Sequence, residues 1–184
     1  MTRIIGLSGS LRSASVNSAL LRAAGEVMPA GASLQIETLR GIPLYDGDEE
    51  VTNGIPARVT QLKEIVATAN GLLIATPEYN NAMPGVLKNA LDWLSRPAND
   101  VKRVFGGKAV ALTGATPGGW GTLHAQASWL PVLRHLGCQL WSGGRLAVSK
   151  AGDVFAADGT LNDDTVRTQL KAFMEGFAAF CARK

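Results

Sequence analysis

Three segments carry residues whose types and spacing suit chemistry. The first, Ser8-Gly-Ser-Leu-Arg-Ser-Ala-Ser-Val-Asn17, combines hydroxyls, small residues and one arginine, and it runs straight into an apolar-periodic stretch. Where such a loop enters a helix, the unpaired N–H groups and the dipole favour a phosphate. Ser10, Ser15 and Asn17 can add side-chain hydrogen bonds and Arg12 can supply positive charge. The second segment begins at Pro77, where the apolar run over residues 71–76 meets a residue that cannot donate to a sheet ladder. Glu78, Tyr79 and Asn80 then offer amides and polar side chains before Pro84-Gly85 sets a new helix. The third, Gly114-Ala-Thr-Pro-Gly-Gly-Trp-Gly121, lets backbone at Gly114, Gly118 and Gly119 approach a flat ligand while the Trp120 indole covers it. Read one at a time, the same residues also fit a helix cap, a solvated loop with a turn at Asn80, and a plain glycine-rich connection.

Other chemistries find no support. A Gly-x-x-x-x-Gly-Lys-[Ser/Thr] nucleotide loop is missing, and Gly6-x-x-Gly9 does not fit the Gly-x-Gly-x-x-Gly dinucleotide pattern. Neither His124 nor His135 has a carboxylate or second ligand at useful spacing, so both read as structural or surface residues and no metal is expected. Cys138 and Cys181 stand far apart in apolar surroundings and read as small buried hydrophobes.

The elements that must position the three segments follow from periodicity. Residues 3–7, 33–39, 71–76, 108–113 and 139–148 read as strands, the last interrupted at Gly143-Gly144. Between and after them, residues 17–28, a stretch opened by Pro56, 86–94, 122–136 and 163–182 read as helices, and residues 41–48 read as a loop. Strands alternating with helices imply a parallel sheet covered on both faces, and right-handed crossovers favour the α/β flavodoxin-like order 2-1-3-4-5. The segments after strands one, three and four then meet at one sheet edge. That edge is where open α/β folds bind ligands.

Composition agrees with an ordinary enzyme. The 184 residues suit a single domain over residues 1–184, 46% of them are hydrophobic and 18% charged, and the net charge is +3 with Lys and Arg scattered. Nucleic-acid binding is not expected. No stretch has the form of a secretory signal or a membrane span, so a cytoplasmic location without membrane insertion is expected.

Together, Gly-Ser-Leu-Arg-x-x-Ser-x-Asn from Gly9, Pro-Glu-Tyr-Asn-x-x-x-Pro-Gly-x-Leu-Lys-Asn-Ala-x-Asp-Trp from Pro77, and the glycine-rich loop ending His124-Ala-Gln126 resemble the NADPH-dependent FMN reductase family. That family includes bacterial quinone, chromate, azo-dye and ferric reductases, and the ferric reductase B-type enzymes are similar in pattern. The resemblance covers most of residues 3–136. It implies bound FMN, NADPH or NADH as co-substrate, and two-electron transfer to quinones, flavins, chromate or ferric chelates by a ping-pong route. A flavodoxin-like electron carrier and a flavin-sensing interaction module are the alternatives.

Carried onto this chain, the resemblance puts the phosphate loop at Ser10, Arg12, Ser15 and Asn17. The isoalloxazine loop falls at Pro77, Glu78, Tyr79 and Asn80, completed by Gly114, Gly118 and Gly119. Ser95-Arg96-Pro97 also matches, which implies that Arg96 positions nucleotide or acceptor. A homodimer around the third helix is implied too. His124 stands where many members have arginine, and Trp129-Leu-Pro131 replaces a common leucine-arginine pair, which puts tetramer assembly in doubt.

Overall fold

The computed structural model describes residues 1–183. Its framework is a parallel sheet of β1 (Thr2–Ser8), β2 (Ala32–Thr38), β3 (Gly71–Ala75), β4 (Ala109–Ala115), β5 (Gln139–Leu140) and β6 (Leu146–Val148). The order is β2-β1-β3-β4-β5, with β6 also pairing with β4, and every recorded pair is parallel. This is the flavodoxin-like arrangement expected from the alternation of elements. The expected fifth strand exists as two pieces, because after Trp141 N–H donates to Val110 O at 2.8 Å, residues 142–145 leave the ladder before β6.

The helices are α1 (Val16–Glu26), α2 (Gly47–Asn53), α3 (Ala57–Ala67), α4 (Gly85–Leu94), α5 (Val101–Val104), α6 (Leu123–His135), α7 (Ala151–Val154) and α8 (Asp164–Cys181), with a 3-10 turn over Ala98–Asp100. Among the described residues, no helix is long and apolar enough to cross a membrane. The sheet is covered on both faces. On one, Leu20, Leu21 and Ala24 of α1 and Phe173, Met174 and Phe177 of α8 pack with Ile4, Leu73 and Ala111. On the other, Leu62 of α3, Leu87 and Trp93 of α4, and Trp129 and Leu133 of α6 pack with Ile5, Ile74 and Val110. Each buried Val, Leu, Ile, Phe or Met among them contributes about 1.5–3 kcal/mol by leaving water. All five residues of β3 are buried. At Gly71 an added Cβ would lie 2.4 Å from Cys181 Sγ, so glycine is what allows α8 to close on the sheet.

One reading of the sequence is corrected. Part of the expected loop at residues 41–48 belongs to α2, which Asp46 caps by accepting a hydrogen bond from the Asp48 N–H at 2.9 Å. Asp48, Glu49 and Glu50 occupy its first turn, where they favour the helix dipole. No residue of α2 is buried, so it carries no apolar periodicity for a sequence pattern to register.

Candidate functional site

At the C-terminal ends of β1, β3 and β4, three loops converge on a cavity of about 110 Å³. Ser10, Arg12, Ser15 and Asn17 line it from the loop after β1, Pro77, Glu78 and Tyr79 from the loop after β3, and Ala115, Thr116 and Pro117 from the end of β4. The three walls are tied together. Gly9 N–H donates to Ala75 O at 2.9 Å, and Thr76 N–H to Thr113 O at 2.9 Å, each extending the sheet ladder one residue into a loop. The same closeness forbids a side chain at Gly9, whose Cβ would lie 2.7 Å from Pro77 Cδ.

The loop after β1 has the character of an anion cradle. Ser15 caps α1, its Oγ accepting from the N–H groups of Asn17 at 3.2 Å and Ser18 at 3.3 Å. Its single hydroxyl proton is left for another acceptor. Ser10 is buried and its Oγ accepts from Arg12 N–H at 3.3 Å, again keeping its proton to donate. Among the described residues, the N–H groups of Leu11, Ser13 and Ala14 have no protein acceptor, and the exposed Arg12 guanidinium has no carboxylate beside it. A phosphate monoester matches this donor set.

Asn17 serves a different end. Its Nδ2 donates to Ala115 O and its Oδ1 accepts from Ala115 N–H, both at 2.9 Å, so the buried carboxamide pins the start of α1 to the end of β4. Glu78 likewise spends its carboxylate on backbone: Oε2 accepts from Ala125 N–H at 3.0 Å in the first turn of α6. Thr122, at the N-cap of α6, makes no side-chain cap, so Glu78 takes over that task from another segment.

The turn beyond Glu78 is a two-residue hairpin. Tyr79 and Ala82 exchange both backbone hydrogen bonds at 3.1 Å, while Asn80 and Asn81 adopt φ of +51° and +60°. Asparagine tolerates the left-handed region, which is the physical reason for two in succession. Asn80 therefore shapes the turn and does not line the cavity. Tyr79 is 46% exposed at the rim.

Gly114 lies beneath the cavity floor, where a Cβ would meet Thr76 O at 2.2 Å and Thr122 Oγ1 at 2.3 Å. Thr76 itself is buried; its hydroxyl donates to Pro77 O at 2.9 Å and accepts from Trp129 Nε1 at 3.1 Å, which fixes the exit from β3. Gly118 and Gly119 lie on the exposed rim of the third loop, which is held down where Lys150 N–H donates to Gly118 O at 3.0 Å. Gly119 faces a second, larger cavity of about 620 Å³ between this loop, the 141–145 excursion and α8. Thr116 was not singled out from the sequence, although its hydroxyl within the glycine-rich loop is the signal that could have found it.

Arg96 is not brought to this cavity within one chain. It follows the far end of α4, whose ten residues cover about 15 Å. There its Nε donates to Glu50 Oε2 at 2.8 Å, and Tyr45 hydroxyl donates to the same oxygen at 3.0 Å. The guanidinium beside Glu50 holds that carboxyl below its ordinary value, and the bond to Glu50 raises the Tyr45 phenol. A buried Lys63 donates to Arg96 O at 2.8 Å and pairs with Asp100 at 2.8 Å, fixing the backbone on the other side.

Comparison with known proteins places this geometry among flavoenzymes. The model of the NADPH-dependent FMN reductase family matches residues 2–153. An NAD(P)H-dependent FMN reductase of Pseudomonas aeruginosa is 39% identical over 181 residues, covering 98% of this chain and 96% of the relative. A 2-hydroxy-1,4-benzoquinone reductase of a Burkholderia species is 36% identical over 178 residues, covering 97% and 95%. Among solved structures, FerB of Paracoccus denitrificans, a flavoenzyme NAD(P)H:(acceptor) oxidoreductase, superposes with a TM-score of 0.88 at 28% identity, covering 100% of this chain and 98% of FerB.

Proposed function

Because the chain belongs to the NADPH-dependent FMN reductase family, we propose that residues 1–184 work as one FMN-binding domain that reduces small acceptors by a ping-pong route. The enzyme is an NAD(P)H-dependent FMN reductase of the quinone reductase kind, with FMN as cofactor and NADPH or NADH as electron donor. The observation that carries the mechanistic reading is the meeting of the unpartnered donors at residues 10–15 with the walls at Pro77–Tyr79 and Ala115–Pro117 in one cavity.

FMN held at this site would supply two-electron redox chemistry between NAD(P)H and the acceptor. The overall change converts NAD(P)H, a proton and a quinone into NAD(P)⁺ and the hydroquinone. The chain's own residues bind and orient. Ser10, Ser15, Arg12 and the free N–H groups of their loop hold the phosphate. Pro77, Glu78 and Tyr79 form one wall for the ring system, and Ala115, Thr116 and Pro117, in the loop that runs from Gly114 to Gly118 and Gly119, form the other. Asn17, Glu78 and Asn80 act by position, since the Asn17 carboxamide is committed to Ala115, Glu78 Oε2 is committed to Ala125, and Asn80 sets the hairpin. Protons reach the acceptor from solvent across the exposed rim at Tyr79 and Pro117.

A homodimer around α4 completes the proposal. Arg96, anchored by Glu50 at the end of α4 remote from its own cavity, is suited to meet a neighbouring subunit's nucleotide or acceptor. Small-molecule acceptors are quinones first, with free flavin, chromate and ferric chelates as further candidates, and the cytoplasm, with its nicotinamide nucleotide pools, is the site of action.

The test is anaerobic stopped-flow mixing of flavin-loaded protein with NADPH and with NADH, followed by mixing with each acceptor. Rapid bleaching near the flavin absorbance maximum, then recovery with quinone, is expected. Failure to bleach with either nucleotide overturns the reductase reading in favour of an electron carrier. Bleaching that requires acceptor to be present overturns the ping-pong order.

A further inference from the structure

The 620 Å³ cavity and the small one are lined by successive stretches of the loop after β4. Thr116 and Pro117 line the small cavity, while Gly119, Trp120 and Gly121 line the large one. With consecutive Cα atoms about 3.8 Å apart, Pro117 and Gly119 are separated by no more than about 7.6 Å. The two cavities therefore approach each other across residues 117–119.

The large cavity is built around an immobilised indole. Trp141 packs edge-on against Phe173, with ring centroids 4.9 Å apart, and lies 5.7 Å from Phe177. Three glycines make room for it: a Cβ at Gly143, Gly144 or Gly176 would stand 2.5, 2.8 or 2.7 Å from an atom of that ring. Trp120, also lining the cavity, is 74% exposed on a turn that Gly121 seats against Ala147 with φ of +63°. Trp120 and Trp141 thus place two indoles on one cavity, the aromatic lining that small-molecule sites use. Arg145 is the one charged residue among the described residues lining the cavity; it is exposed and has no ion pair among the described residues, and Ser149 and Gln169 add polar groups.

We infer that this cavity receives the adenosine end of the nicotinamide nucleotide, with the purine on Trp120 and Trp141 and the 2′-phosphate of NADPH on Arg145. The inference rests on the reductase reading and deepens it by naming the determinant of NADPH over NADH. Its chemistry is that of the site. Purines stack on indole faces whatever their substituents, and a guanidinium with no carboxylate beside it is suited to a phosphate dianion. The volume falls in the range of small-molecule sites. Arg12 faces the other cavity, so each phosphate has its own arginine.

Two measurements on the flavin-loaded protein test it: calorimetric titration with adenosine 2′,5′-bisphosphate, which has no nicotinamide, and the ratio of kcat/KM for NADPH to that for NADH. Arg145→Ala should weaken bisphosphate binding at least about tenfold and lower the ratio by a similar factor, the effect of losing one charge-assisted contact. Arg145→Lys should recover part of both, and Trp120→Ala should weaken the bisphosphate while leaving the ratio nearer the wild-type value than Arg145→Ala does. Absence of bisphosphate binding to the wild type, equal affinity in wild type and Arg145→Ala, or an unchanged ratio overturns the assignment. A loss shared equally by NADPH and NADH also overturns it, by moving Arg145 to the common diphosphate. If neither nucleotide bleaches the wild type, the reductase reading falls by itself, and the bisphosphate titration still decides the subsite.

Discussion

Glu78 reaches across the sheet edge to cap a helix forty-seven residues away, its Oε2 accepting the Ala125 N–H at 3.0 Å. One carboxylate thus links the loop after β3 to the start of α6. The acid at this position is a brace, and the loop it braces forms one wall of the flavin site proposed above.

Removing the brace should cost stability and cofactor together. Glu78→Ala should destabilise the flavin-free protein by about 1 kcal/mol, the usual loss of an N-terminal helix cap, or about 2–4 °C in melting temperature. Glu78→Gln keeps an acceptor oxygen and should fall between Ala and wild type. Thermal melts of the three proteins, with and without added FMN, check the order; a Glu78→Ala protein as stable as wild type overturns the assignment.

Asn17 should behave as a structural residue. Asn17→Ala leaves the buried N–H and C=O of Ala115 without partners, and each orphaned group costs about 1–3 kcal/mol. Urea unfolding of the flavin-free protein should show a lower midpoint at an unchanged slope. An undiminished midpoint would mean that water replaces both bonds.

Arg12 should show the opposite pattern. It is exposed and unpaired, so Arg12→Ala should leave the urea midpoint within about 0.5 kcal/mol of wild type. FMN dissociation, followed by recovery of flavin fluorescence, should weaken at least about tenfold, because one charged hydrogen bond is worth about 1.5–3 kcal/mol. Equal FMN affinity in both proteins removes Arg12 from the phosphate site.

The acidic cluster around Arg96 and Arg103 sets the response to pH. Hydrogen bonds from Arg96 lower the Glu50 carboxyl from 4.5, and those from Arg103 lower Asp100 from 3.8 and Glu64 from 4.5. A carboxyl depressed in the folded state adds stability above its unfolded value, and that stability is lost as pH falls through the folded value. Unfolding midpoints should therefore drop as pH goes below about 4.5, and Glu50→Gln with Asp100→Asn should flatten that drop. A titration curve of midpoint against pH with the same slope in the double variant overturns the link. At the alkaline end the sign reverses for Tyr45. Its bond to Glu50 raises the phenol above 10.0, so this contribution persists below the unfolded value and disappears as pH rises through the folded one.

Apolar periodicity determined the succession of strands and helices, and through it the sheet order and the delivery of three loops to one edge. Residue type at those loops also identified Ser10, Arg12, Ser15 and Pro77–Tyr79 as cavity lining. Burial imposes a period of 2 or 3.6 on neighbouring residues, so these features are written locally. What each polar side chain does with its hydrogen bonds is not local. Asn17 and Ser15 are two residues apart, yet one is consumed by Ala115 and the other keeps a proton to donate. Arg96 carries a family motif, but the direction of α4 removes it from its own cavity. The charged helix α2 and the aromatic cavity around Trp141 leave no periodic trace, since the first buries nothing and the second joins the loop at residues 119–121, the 141–145 excursion, β6 and α8 from separate parts of the chain. Tertiary packing alone decided which donors remain available to a ligand, because the partners that claim the others lie up to 98 residues away.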